Sequence, residues 1–433
     1  YYYLWNEHIP SKDRLNFIAV PNAFFESLLY KYKKPDGDRF SWIENNYLDL
    51  MNMLSGVSRD IGFEYIPYYA EGSDYLVEFD VAYIKKNTSA EKQGLKRGDI
   101  IWKVDGKELN EDNYYNILYS GKASYKLTVY DPVANSDKEL TITVENNYKE
   151  DPIYYSNIYE TGGKKIGYIV YNFFAPDSGD DSYSYDIALA KLFDDFKTQG
   201  ITDLILDLRY NPGGYLSSAV NIASAIVPQR STGKIFTYDE HNREFQKYLI
   251  DKYGAEYVKS FFQEKITTPK GISQPIPELG INSLYVITTG RTASASETII
   301  NGLKPYMTVK TVGKLTTGKN VGSYTLYKEN DSRIKYGLQP IMFQVFNSAG
   351  KSDYSGGFAP DIEVNEYDYY FDPLGNTNEI MLANAIADIT GIPLKKSKST
   401  LPAKTVLPGS SIERRAGANL MLKKVDPGFL IKE

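Results

Sequence analysis

A chain of 433 residues with 42% hydrophobic and 24% charged side chains has a soluble globular composition, and it is long enough for two or three domains. Its net charge of -6 arises from 55 acids and 49 bases spread along the sequence, without a basic block to track phosphates, so no nucleic-acid partner is expected. There is no cysteine, which removes disulfides, thiolate metal sites and cysteine nucleophiles, and no run of about 18 apolar residues offers a membrane span.

Residues 1–72 mix aromatic and acidic helical patterns. In FSWIENNYLDLMNML, Trp42, Ile43, Tyr47, Leu48, Leu50 and Leu54 fall mostly on one face, so a small helical cap is expected there. From residue 73 the pattern turns to short strands. DYLVEFDVAYI is followed by SAEKQGLKRGDIIWKVDGKEL, in which a short helix ends at Gly94, IIWKV forms a strand, and Asp105 with Gly106 makes a hairpin turn. A helix over NEDNYYNILYSG and the strands YKLTVYD and KELTITVEN complete this region. AEKQGLKRGDIIWKVDGKEL resembles a PDZ domain, which implies for residues 73–147 a module that captures extended peptides, usually at a free C-terminus, by adding them to a sheet edge.

Residues 148–392 read as an α/β core. KKIGYIVYNFF is an apolar strand, PDSGDDS a solvated acidic loop, and YDIALAKLFDDFKTQG an amphipathic helix stopped by Gly200. The strands DLILDL and LYVITTG, the helix ASETIINGLK, the strand TVKTVGK, at least one strand in GLQPIMFQVFN and the helix NEIMLANAIADIT follow. Near-continuous apolar strands alternating with helices indicate a sheet covered on at least one face. Residues 393–433 turn basic and polar and read as a mobile or peripheral tail.

Three glycine- or serine-rich turns stand at the ends of predicted strands: RYNPGG, GRTASASE and GKLTTGKN. Sites in open α/β folds form at such strand ends. The only histidines are His8, in the N-terminal segment, and His241, in the polar run YDEHNREF, and neither looks like the oriented base of a Ser/His/Asp triad. No two-histidine zinc spacing is present. GKLTTGKN nearly matches a phosphate-binding loop, but Asn320 stands where a magnesium-binding hydroxyl is required and VGSYTLY alternates like a strand, not a helix. Lys319 could instead be a general base if burial brought its amine from near 10.4 down to about 7, at a cost of about 4 kcal/mol. Taken alone, a lysine in a turn is most simply a surface residue.

The company of that lysine points further. LILDLRYNPGG, IGYIVYNFF, GRTASASETI, GKLTTGKN and GGFAPDIEV occur in the order and at the spacings of the carboxyl-terminal processing peptidases, tail-specific serine-lysine endopeptidases, and the resemblance runs from about residue 75 to 390. It implies a core related to ClpP and crotonase, with Ser294 as nucleophile and Lys319 as base. Ser296 and Glu297 would be supporting residues, and no metal or organic cofactor would be needed. The residues agree: Ser294 would be exposed at a strand–helix junction, and the Ala295 N–H at the helix start would face the oxyanion. A second donor is expected from Gly213 or Gly214, while Asp207 and Arg209 order the loop. One position departs, because members with a Ser/Lys/Gln arrangement carry glutamine where this chain has Ser323, which leaves the third partner of Lys319 open.

The resemblance therefore implies a serine endopeptidase that cleaves polypeptides near their C-termini, with substrate tails held by the PDZ domain. The alternative is a weakly active or inactive peptide-binding protein on the same fold. The aromatic N-terminal region resembles that of Bacteroidetes envelope proteases. It implies a periplasmic or cell-envelope lipoprotein, attached through a lipid anchor outside this sequence and able to form a homo-oligomer. The 39 tyrosines point the same way.

Overall fold

Strand Asp203–Asp207 lies at the centre of the catalytic half of the molecule, because its run of apolar residues can be buried on both faces at once. Leu204 and Leu206 point into one core layer and Ile205 into the other. The structure is a computed structural model that describes residues 10–34, 36–230, 233–329, 331, 333–394, 404–415 and 421–423.

Around that strand the main sheet runs in the spatial order Ile153–Thr161, Lys164–Tyr171, Asp203–Asp207, Ser283–Thr288, Val309–Gly313 and Ile362–Glu363. The first pair is antiparallel and the rest are parallel. Helices Ser184–Gln199, Leu216–Ile226 and Ala295–Leu303 close one face and helix Ile380–Thr390 closes the other. Gly200 ends the first of these helices in the left-handed conformation, at φ 71°.

A second sheet stands beside this layer in the order Gly214–Tyr215, Met421–Lys423, Val321–Tyr324, Ile341–Asn347, Ile235–His241 and Lys259–Phe261. It gathers strands from positions far apart in the chain. Residues 404–415 and 421–423, expected to be peripheral, are packed into the fold: Ser410, Ser411, Ile412, Met421 and Leu422 are buried. The remainder of the expected tail lies outside the described residues.

The third sheet is antiparallel and made of Phe63–Tyr69, Val77–Ile84, Ile100–Val104, Ser124–Asp131 and Ser136–Thr143, with Lys107–Glu108 folded onto the third strand. Asp105 and Gly106 turn that hairpin at φ 52° and 75°, as the DG pair predicts. This β-rich region begins at Phe63, earlier than residue 73, since alternation in FEYIPYY is obscured by apolar residues on both faces. The expected helix over 110–121 is replaced by turns and a 3-10 helix, Ile117–Tyr119. Asn110 and Asn113 explain the difference: their side-chain oxygens take the backbone N–H groups of Asp112 and Asn110, which competes with helix formation. Likewise the helix read across residues 42–54 divides into strand Trp42–Glu44 and helix Tyr47–Leu54, because Asn46 caps the helix by accepting the Leu48 N–H at 3.1 Å. Among the described residues no helix is long and apolar enough to cross a membrane.

Candidate active site

Strand Ser283–Thr288 delivers the chain into GRTASAS, and helix Ala295–Leu303 carries it away. At the junction Ser294 takes φ 65° and ψ -115°, a region that costs a non-glycine residue on the order of 1–3 kcal/mol. Two groups hold it there. The Ser294 N–H donates to Glu297 Oε2 at 2.8 Å, and the Thr298 N–H donates to the Ser294 carbonyl at 2.8 Å. The Oγ of Ser294 is buried and receives no hydrogen bond among the described residues.

Glu297 does more than cap the helix. Its Oε2 also accepts the Lys319 N–H at 2.8 Å, and Oε1 accepts the Gly318 N–H at 2.7 Å and the Thr316 hydroxyl at 2.5 Å. The loop 313–320 therefore wraps a carboxylate supplied by the protein itself, and strand Val321–Tyr324 follows Lys319. Both facts remove the phosphate-loop reading, whose anion needs a helix N-terminus. Burial pushes the Glu297 carboxyl up, against the hydrogen bonds from Thr316 and the loop amides that hold it down.

The Lys319 side chain is wholly buried. Burial brings its amine down from 10.5 to about 7, opposed by the charges of Asp38 and Glu297. Its Nζ lies 5.0 Å from the centre of the Phe40 ring, while the Arg39 guanidinium donates to the Gly318 carbonyl at 3.1 Å. Asp38 is buried and accepts the Phe40 and Ser41 N–H groups at 3.0 and 2.8 Å. Residues 38–41 thus form a wall of the lysine's surroundings that sequence reasoning missed. Only their mixture of charge and aromatics could have hinted at it.

The NPGG turn is fastened to the serine loop. The Asn211 carbonyl accepts the Ala293 N–H at 3.2 Å and the Ser296 hydroxyl at 3.1 Å, which gives Ser296 a tying role. Asn211 Oδ1 accepts the Gly213 N–H at 2.9 Å. That amide is engaged, so Gly214 is the freer of the two expected turn donors. Gly214 has φ 136°, and a Cβ there would come within 2.0 Å of the Phe174 carbonyl oxygen. Ala295 begins the helix, where an N–H has no intrahelical acceptor. Behind the turn, Arg209 is buried between Asp207 at 2.7 Å and Glu379 at 2.7 Å, and Glu366 lies 3.3 Å away.

Three expectations need correction or narrowing. Ser294 is not exposed but fully buried. Phe40 covers the lysine side, and Met421 packs beside Thr298 and accepts the Ser323 hydroxyl on its carbonyl at 3.4 Å. Ser323 is thereby turned toward strand Met421–Lys423. His241 is a satisfied core residue, its ring nitrogens 2.8 Å from Gln246 Oε1 and 3.0 Å from the Tyr324 hydroxyl, and burial lowers its pKa. His8 lies outside the described residues. In the acidic loop, Asp177 turns inward and accepts the Gly179 and Tyr183 N–H groups at 2.7 and 3.0 Å.

A cavity of about 650 Å³ opens against Pro212, Gly213 and Gly214 and extends to Phe63, Tyr119 and Arg414 on the β-rich side. It joins the NPGG turn to the edge of the third sheet.

Residues 165–364 match Peptidase family S41, and residues 1–42 match the Peptidase S41 N-terminal domain. The chain belongs to peptidase family S41. Curated relatives include the Probable CtpA-like serine protease of Staphylococcus aureus strain MSSA476, 23% identical over 375 residues, covering 82% of this chain and 66% of the relative. The protein of the same name from strain MRSA252 is 25% identical with the same coverage, 82% and 66%. The chain thus spans slightly less than two thirds of the length of these relatives. Among solved structures, a candidate S41 protease from Bacteroides fragilis NCTC 9343 superposes with a TM-score of 0.72 at 27% identity, covering 91% of this chain and 96% of that one. The S41 match takes in both Ser294 and Lys319, as well as the NPGG turn.

Proposed function

We propose that this S41 chain is a serine endopeptidase in which Ser294 attacks a peptide carbonyl and Lys319 serves as general base. The observation that carries the reading is Lys319 itself: a wholly buried amine brought to about 7, on a loop tied by Glu297 to the same carboxylate oxygen as the Ser294 amide. A neutral amine takes the hydroxyl proton as Oγ bonds to the carbonyl carbon, and the ammonium so formed faces the charges of Asp38 and Glu297. It then gives that proton to the leaving amine, and water hydrolyses the acyl-enzyme by the reverse route. The N–H groups of Ala295 and Gly214 stabilise the tetrahedral oxyanion, with Gly213 and Asn211 shaping the turn. Ser323 takes the place of the expected glutamine as a support of the strand beside the lysine.

In this reading the β-rich region is a PDZ domain that captures substrate tails, and the core is of the ClpP/crotonase kind. The protein works in the periplasm or cell envelope on polypeptides cut near their C-termini. The S41 relatives named as serine proteases support the reaction class. Cleavage of an unfolded protein with an apolar C-terminus tests it, comparing wild type with Ser294→Ala and Lys319→Ala. Both variants are expected to lose activity by more than about a thousandfold. Cleavage surviving both substitutions overturns the mechanism, and no cleavage by wild type favours a peptide-binding protein on the same fold.

A further inference from the structure

The outer edge of strand Phe63–Tyr69 is already occupied. On an edge strand, alternate residues present their backbone groups outward, ready to pair with another chain. Here those residues are Tyr65, Pro67 and Tyr69, and residues 405–411 satisfy each of them. The Tyr69 N–H donates to the Thr405 carbonyl at 3.2 Å, the Leu407 N–H donates to the Pro67 carbonyl at 2.8 Å, and the Ser411 N–H donates to the Tyr65 carbonyl at 3.2 Å. The Tyr65 N–H is taken by the Ser411 hydroxyl at 2.7 Å. Tyr68 and Val406 form an antiparallel bridge between these bonds.

Side chains complete the fit. Lys404 places its ammonium 2.8 Å from Asp80 and 4.0 Å from the centre of the Tyr68 ring, a carboxylate and an aromatic face suited to a basic side chain. Leu407 packs against the hydrophobic core of the β-rich sheet. On the opposite wall, the Tyr114 hydroxyl donates to the Pro408 carbonyl at 3.3 Å, and the Arg414 guanidinium lies over Tyr119 at 3.6 Å. An extended strand held antiparallel on a sheet edge, with alternate side chains in pockets, is how a bound peptide sits by strand addition.

We propose that residues 404–411 are an internal ligand of the β-rich domain, and that an incoming extended polypeptide is captured only by displacing them. The preferred guest carries a basic residue and, three positions further on, an aliphatic one. This inference rests on reading the β-rich domain as a peptide-capturing module. The tether favours the internal ligand, because a covalently linked segment competes at an effective concentration of the order of mM. Release also reaches the nucleophile loop. Arg291, three residues before Ser294, donates to the Ser410 hydroxyl at 3.1 Å and pairs with Glu413 at 3.1 Å, so both contacts are lost when the segment leaves.

The test uses the full chain and a fluorescent peptide with the sequence of residues 404–411. Leu407→Pro removes the donor to Pro67, and Lys404→Glu sets like charges against each other at Asp80. Each is expected to bind the labelled peptide at least tenfold more tightly than wild type. A second measurement needs no variant: in wild type, excess unlabelled peptide should speed hydrogen exchange at the Leu407 amide while the Tyr69 amide stays protected. An unchanged Leu407 amide together with equal affinity in wild type and variants overturns the inference, and leaves the peptidase reading standing if an unfolded protein is still cleaved. Free exchange at Leu407 in variants that bind no peptide overturns the capture reading and the inference with it. Peptide exchange as described in a protein that cleaves nothing supports the inference and removes the peptidase.

Discussion

The backbone N–H groups of Ser294 and Lys319 donate to a single oxygen, Glu297 Oε2, each at 2.8 Å. Nucleophile and base are separated by 25 positions in the chain, yet one carboxylate fixes the backbone of both. Glu297→Ala is therefore expected to lower kcat by roughly a hundredfold or more while KM changes little, as misplacement of about 1 Å does elsewhere. Steady-state kinetics on a quenched fluorescent peptide separate the two parameters. A raised KM at constant kcat would make Glu297 a substrate-binding residue instead.

Activity should rise with pH around the value of Lys319. Because burial holds the amine at about 7, kcat/KM is expected to climb through neutrality as the proton is lost. Lys319→Arg should be inactive at every pH up to 10, since a guanidinium does not deprotonate in that range. A profile flat from pH 5 to 9 would count against the lysine as base.

The same residue costs stability, and the sign can be worked out. Folding lowers the lysine's value from 10.5 to about 7, so between those pH values the unfolded chain binds more protons and stability rises with pH. Below 7 the full cost is present. Lys319→Met should stabilise the protein at pH 6 by up to roughly 4 kcal/mol and by little near pH 10.5. Urea unfolding at the two pH values checks this.

The wall formed by residues 38–41 should tune the base. Phe40→Ala admits water beside the ammonium, and the ascending limb of kcat/KM is expected to move up by about 1 in pH. Asp38→Asn removes a charge that favours the ammonium, and the limb should move down. Opposite displacements are the expected signature, and two displacements of the same sign would exclude this account.

Gly214→Ala should fail for a backbone reason. The new Cβ would meet the Phe174 carbonyl oxygen at 2.0 Å from a residue at φ 136°, so a loss of stability on the order of 3 kcal/mol is expected. Thermal unfolding measures it. Activity should fall together with stability, because the turn that supplies the oxyanion donor must shift.

What could be read in advance follows from how local each cause is. The parallel strands were legible since burial on both faces leaves continuous apolar runs, and Asp105 with Gly106 fixed its hairpin by its own conformational preference. The second sheet was not, because Gly214–Tyr215 and Met421–Lys423 are too short to carry a period and exist only through partners from distant positions. Ser294 and Lys319 could be singled out by their motifs and spacing. Their burial could not, because Phe40 and Met421 come from the two ends of the described chain. The carboxylate in the loop 313–320 was missed for the same reason, although Glu297 itself stood in the motif.

Strand Met421–Lys423 lies between Gly214–Tyr215 and Val321–Tyr324, pairing in parallel with both. A ribosome delivers these pieces in the reverse of the order in which the sheet needs them: the two outer pieces emerge first and the middle one last. Until about a hundred residues after Lys319 have been synthesised, the nascent chain holds its serine and lysine without the strand that bridges their surroundings. Completion of this sheet is thus timed by translation itself, which delays assembly of a proteolytic centre until nearly all of the described chain has been made.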